Sequence, residues 1–200
     1  MKIIVITSPD FIAGEASLIN TLFEGGIDRI HIRKPKASAD SHRQLIEGID
    51  AKWHSRLSLH DHHELAVEYG CGIHLNARNP IPPKGSEKLM LSASCHSINE
   101  VAERKQQCDY VFMSPIFNSI SKQGYAAAYS EQELLEASRL GIIDNNVIAL
   151  GGITPEHLPY LEQLRFGGAA FLGHVWNKAS DGLFTCSLDG MFNGYLKPEC

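Results

Sequence analysis

The sequence predicts a single-domain (β/α)8 TIM barrel over residues 1–200, with an abbreviated fourth crossover. Three observations predict it. Eight short apolar runs recur with helical stretches or loops between them, the pattern of repeated βαβ units feeding a parallel sheet. The first run is followed by Ser8-Pro9-Asp10 rather than by the glycine-rich turn of an open doubly wound sheet. Glycines come late instead, at Gly151-Gly152 after the seventh run and at Gly173 after the eighth, where such barrels commonly hold an anion.

The first strand is read over Lys2 to Thr7 and the second over Arg29 to Arg33. In the second, Ile30 and Ile32 alternate with His31 and Arg33; barrel strands turn their apolar face toward the helices, so His31 and Arg33 point inward. The same parity sends Ser58 and His60 inward from the third strand, Arg56 to His60, and His74 from the fourth, Gly72 to Leu75. Asn79-Pro80-Ile81-Pro82-Pro83-Lys84-Gly85 cannot hold a regular helix, so the fourth crossover is a loop. The fifth strand is read over Lys88 to Ala93, with Ser92 and Ser94 inward and His96 just beyond. Ser97 with Glu100, and Ser130 with Glu133, have capping-box spacing and open the helices on either side of the sixth strand, Tyr110 to Met113. The seventh strand, Val147 to Leu150, leads to Thr154-Pro155, an N-cap with Pro in the first turn. The eighth runs from Ala169 to Leu172; Gly190 and Gly194 interrupt the tail, so a final helix is left unassigned.

At 200 residues and 44% hydrophobic content the chain can bury one sizeable core but not two. It enters an apolar strand at once, so no signal peptide is expected, and no apolar run nears the roughly 20 residues of a membrane span. The five cysteines, Cys71, Cys95, Cys108, Cys186 and Cys200, are odd in number and lack metal spacing, which fits buried thiols in a reducing cytoplasm. A net charge of −5 without a basic stripe argues against nucleic acid, while an anionic small molecule remains compatible through a locally positive pocket.

Five of the ten histidines, His31, His60, His74, His96 and His174, fall within or just after a strand. Catalytic groups in this fold gather at the C-terminal strand ends, so the cluster marks a site. Singly, each also reads as a hydrogen-bonded interior histidine. His60-Asp61-His62-His63 has a metal-like His-x-His spacing, but no aspartate closes a late strand, which disfavours a zinc hydrolase.

Read together, Ile30-His31-Ile32-Arg33, Ser92-Ala93-Ser94-Cys95-His96-Ser97, Asp109-Tyr110-Val111-Phe112, Ser114-Pro115-Ile116-Phe117 and Ala149-Leu150-Gly151-Gly152-Ile153-Thr154-Pro155 resemble the thiamine phosphate synthase and TenI superfamily, in order from Ile3 to about Val175. The resemblance implies one of two activities. A synthase joins an aminopyrimidine diphosphate to thiazole phosphate, with Mg2+ offsetting charge on the departing pyrophosphate. A TenI-like tautomerase moves a proton, turning an exocyclic-alkene thiazole carboxylate phosphate into its aromatic form, with no cofactor.

The synthase pattern Gln-x-Arg-x-Lys appears here as His31-Ile32-Arg33-Lys34-Pro35, with only the arginine in register. Its Asn-Asp appears as His60-Asp61, and its second metal-binding aspartate aligns with Asn79. Losing that carboxylate weakens a Mg2+ site. These departures favour the tautomerase, with the synthase as the alternative and a non-catalytic thiazole phosphate-binding protein as a third reading. In the favoured reading His96 and Lys122 are catalytic, since an imidazole exchanges protons near neutral pH. His31, Arg33, His60, Ser119, Ser121, Gly151, Gly152 and Gly173 bind the substrate and its phosphate. Asp61 binds Mg2+ only if the protein is a synthase. The partner is the small-molecule thiazole phosphate, with neither nucleic acid nor membrane; oligomeric state is left open, a homodimer being one candidate.

Overall fold

A computed structural model describes residues 1–118, 128–173, 175, 176, 190, 192 and 194–196. Eight parallel strands close into a barrel in sequence order: β1 (Lys2–Ile6), β2 (Arg29–Ile32), β3 (Leu57–Leu59), β4 (Gly72–Leu75), β5 (Leu91–Cys95), β6 (Tyr110–Met113), β7 (Val147–Leu150) and β8 (Gly168–Phe171). Closure is made where β1 meets β8, with Ile3 beside Ala169 and Val5 beside Phe171. Helices α1 (Glu15–Glu24), α2 (Ala39–Glu47), α3 (His63–Tyr69), α4 (Ile98–Arg104), α5 (Glu131–Arg139) and α6 (Leu158–Gln163) cover the outside, with 3-10 turns at Ala51–Arg56 and Pro155–His157.

The outward strand residues and the inner helix faces make one continuous core. Ile3, Val5, Ile30, Ile32, Leu57, Leu59, Ile73, Val111 and Val147 pack against Leu22, Phe23, Leu45, Ile46, Val101, Leu134 and Leu161. Helix ends follow local chemistry. Ser38 accepts the Ser41 N–H at the start of α2, and Ser130 and Glu133 form the expected reciprocal capping box on α5. At α4 the expected box is half made: Ser97 caps Glu100, but the Glu100 carboxylate takes the N–H of His96, one residue earlier. Thr154 and Pro155 open the 3-10 turn, where the Thr154 N–H donates to His157 Nδ1.

Residues 76–90 join β4 to β5 without a helix, as the prolines require. β5 begins at Leu91 rather than at Lys88, because pairing with β4 starts there, Ile73 to Leu91, and pairing with β6 one residue later, Ser92 to Tyr110. Ser94 is therefore a strand residue. In the tail, Phe192 packs edge-on against Phe171.

Inside the barrel the two halves differ. β1, β6, β7 and β8 contribute Ile4, Ile6, Tyr110, Phe112, Ile148 and Ala170 to a small apolar cluster. β2 to β5 contribute His31, Ser58, His74 and Ser92, all fully buried, with His60 just above. A lumen polar on one side only concentrates the chemistry there.

Candidate active site at the barrel mouth

A cavity of about 610 Å3 opens at the C-terminal ends of the strands, with Arg33, His60, Arg78, Ser94, His96 and Phe112 among its lining. His96 is exposed on the turn after β5, where its Nδ1 lies 3.2 Å from the Ser114 carbonyl. A carbonyl can only accept, so Nδ1 carries the proton and Nε2 keeps its lone pair. Arg33 is half-buried, its backbone N–H held by Thr7 Oγ1 at 2.9 Å. Among the described residues no carboxylate pairs with its guanidinium.

Beneath the mouth the histidines form one network. His31 Nδ1 lies 3.0 Å from His60 Nε2, and His31 Nε2 lies 2.6 Å from the Tyr110 hydroxyl. His74 stacks on His60 with ring centroids 4.1 Å apart, and its two nitrogens meet Ser92 and Ser94, each at 2.9 Å. Burial holds all three imidazoles neutral: His31 and His60 lie well below the usual histidine range, and His74 falls to about 3. Neighbouring imidazoles and, for His60, the Arg33 charge act in the same direction. His31, expected as a binding residue, is instead enclosed behind His60 and does not line the cavity. Strand parity turns it inward, but it lies too deep in the barrel to meet a ligand.

The His-x-His pair does not converge. His62 turns away into a left-handed conformation and bonds the Ala37 carbonyl, while His60 joins His31 and His74. Asp61 accepts from Arg78 at 2.9 and 3.1 Å on its two oxygens, and Asn79 Nδ2 adds a third donor at 3.2 Å. A Mg2+ ion needs those lone pairs and would face the Arg78 cation. The donor set does not fit the metal. Lys34 is sealed in a buried pair with Glu15 at 2.7 Å, outside the barrel wall. Cys71 and Cys95 are buried thiols with burial pushing both up to about 12, so neither is a nucleophile.

Gly151 and Gly152 both have positive φ, +94° and +66°. A Cβ on Gly151 would sit 2.8 Å from Pro115 Cα, and one on Gly152 would sit 2.8 Å from the Phe117 carbonyl oxygen. The glycines thus answer first to the 115–118 segment lying across the turn. No hydrogen bond among the described residues uses the N–H of Gly151, Gly152 or Ile153, at the end of the strand whose Leu150 lines the cavity. Gly173, half-buried, follows β8 on the same rim. Ser119, Ser121, Lys122 and His174 lie outside the described residues.

Tyr110 and Arg78 were not singled out from sequence. Tyr110 shares the inward parity of Phe112, so alternation could have found it; nothing local announces that Arg78 closes on Asp61.

The described barrel has the architecture of many phosphate-handling enzymes, so the family is decided by the pattern of residues on it. A family model described as thiamine monophosphate synthase, TMP-TENI, matches residues 3–175. The chain belongs to the TMP-TENI family. The TMP-TENI chain is 29% identical to a thiamine-phosphate synthase of Listeria monocytogenes over 68% of its own length and 70% of that relative's. It superimposes on the crystal structure of a thiamine phosphate pyrophosphorylase from Bacteroides thetaiotaomicron with a TM-score of 0.84 and 42% identity, covering 97% of this chain and 95% of that one. A thiamine phosphate pyrophosphorylase from Pyrococcus furiosus shares the fold, with a TM-score of 0.72 at 18% identity, covering 96% and 92% of the two chains. Membership places this TMP-TENI enzyme in thiamine biosynthesis. Among the described residues no helix is long and apolar enough to cross a membrane.

Proposed function

We propose that the mouth takes a thiazole carboxylate phosphate and aromatises it by proton transfer without a metal. The observation that carries this reading is the engagement of Asp61 by Arg78 and Asn79, which replaces a cation site with an internal ion pair. The reaction leaves composition unchanged: a proton leaves the sp3 ring carbon, the ring electrons shift, and a proton arrives at the exocyclic alkene carbon. His96 Nε2, with its lone pair facing outward from the Ser114 anchor, is the group that takes and returns it. The Gly151–Ile153 amides and Arg33 would hold the phosphate and offset its charge. Ser119, Ser121 and Lys122 are assigned to the carboxylate end by the resemblance alone.

The named relatives favour the second reading, a synthase that joins an aminopyrimidine diphosphate to thiazole phosphate and releases pyrophosphate; the 42% identical Bacteroides structure bears such a name. One pair of assays separates the two. The isomerisation is expected at the same rate with or without EDTA, and little thiamine phosphate is expected even in excess Mg2+. Rapid, EDTA-sensitive formation of thiamine phosphate would establish the synthase.

A further inference from the structure

The polar half of the lumen carries a chain of hydrogen bonds whose direction follows from satisfying each buried donor, starting at its buried end. Arg29 Nη1 lies 3.1 Å from Ser58 Oγ and 2.9 Å from the Leu57 carbonyl. A guanidinium only donates, so Ser58 Oγ accepts from it, and the buried Ser58 proton meets one other partner among the described residues, which it satisfies by donating. The next oxygen is the Tyr110 hydroxyl, 3.4 Å away. Tyr110, accepting there, donates across 2.6 Å to His31 Nε2. His31 must then carry its proton on Nδ1 and donate across 3.0 Å to His60 Nε2. A neutral imidazole has one N–H, so the proton of His60 rests on Nδ1. That nitrogen has no partner among the described residues, and His60 lines the mouth cavity.

We propose that His60 is a fixed hydrogen-bond donor of the mouth, its Nδ1–H offered to an anionic oxygen of the ligand, with Tyr110 and His31 as the positioning residues that set its tautomer. Each link polarises the next in a low-dielectric interior, and the Arg29 charge anchors the far end. His74, stacked on His60 and held by Ser92 and Ser94, fixes the ring plane. An N–H donor that stays neutral can stabilise negative charge developing on the substrate carboxylate as the ring proton leaves, without competing for that proton. Its role toward that carboxylate rests on the isomerase reading; its tautomer does not.

The experiment is a long-range 1H–15N spectrum of 15N-histidine-labelled protein at neutral pH, with His60 assigned by comparison with His60→Gln. Nδ1 of His60 is expected as pyrrole-type and Nε2 as pyridine-type. Tyr110→Phe removes the donor to His31 and should turn the His60 signals into a mixture of tautomers, with isomerisation slowed about tenfold. Ser58→Ala, a smaller change one link earlier, repeats the test should Tyr110→Phe fold poorly. A pyridine-type Nδ1 in the wild-type protein, or His60 signals unmoved by both variants, would overturn the assignment. A pyrrole-type Nδ1 that the variants perturb, in a protein that does not isomerise the thiazole, would retain the donor and dismiss the isomerase.

Discussion

Single residues at the mouth owe their roles to which side of the wall they occupy. Lys34 follows Arg33 directly, whereas the synthase pattern separates the two by one position. Lys34 stands past the end of β2, where its ammonium is taken up by Glu15 and the Asp10 carbonyl. It cannot serve a ligand in the cavity. His96 stands on the open side, and its anchored Nδ1 makes Nε2 the one proton acceptor it can offer. Replacing His96 with Gln keeps a polar group that cannot titrate. Isomerisation should fall roughly 100-fold or more while affinity for thiazole phosphate changes little. Turnover near that of the wild type would move the proton-transfer role to another mouth residue.

At the scale of elements, the turn after β7 is tightly constrained by its neighbours. Phe117 stacks on His157 with centroids 3.9 Å apart, which seats the 115–118 segment on the Gly151-Gly152 backbone. A bulky residue at Gly152 would block an anion at this turn. The structure adds an earlier consequence, because even a methyl group meets the carbonyls of Phe117 and Asn118 at a φ that L-residues avoid. Gly152→Ala should therefore lower unfolding stability by about 1 to 3 kcal/mol in urea titration without any ligand present. Stability equal to the wild type would mean that the segment does not lie against the turn.

For the whole molecule, the consequence of a half-polar lumen is acid sensitivity. His31, His60 and His74 are held neutral in the fold, whereas in the unfolded chain each binds a proton as pH drops through about 6.5. The unfolded state then binds more protons, so stability is full above that value and declines below it. Between pH 7.5 and 5.5 the loss should be about 1 kcal/mol for each of these histidines, read as a fall in the urea midpoint. His42 and His63, also lowered by burial, push in the same direction. A midpoint that holds or rises on acidification would show the trio to be charged in the native barrel.

The sequence by itself determined the barrel, because strand parity, turn residues and helix caps are local rules that the chain obeys in order. Gly72–Leu75, Tyr110–Met113 and Val147–Leu150 are strands as read, and alternation placed His31, Ser58, His60, His74 and Ser92 inside. It could not set where β5 begins, since that depends on pairing with β4 and β6. Nor could it separate the histidines by depth: His31 and His60 share a direction, and only the stagger of closed strands puts one behind the other. The pairing of Asp61 with Arg78 was equally out of reach, because it joins the loops after two different strands and leaves no periodic trace. Tertiary structure decided which polar residues meet one another and which meet the cavity, since hydrogen-bond direction and charge compensation are properties of three-dimensional neighbours.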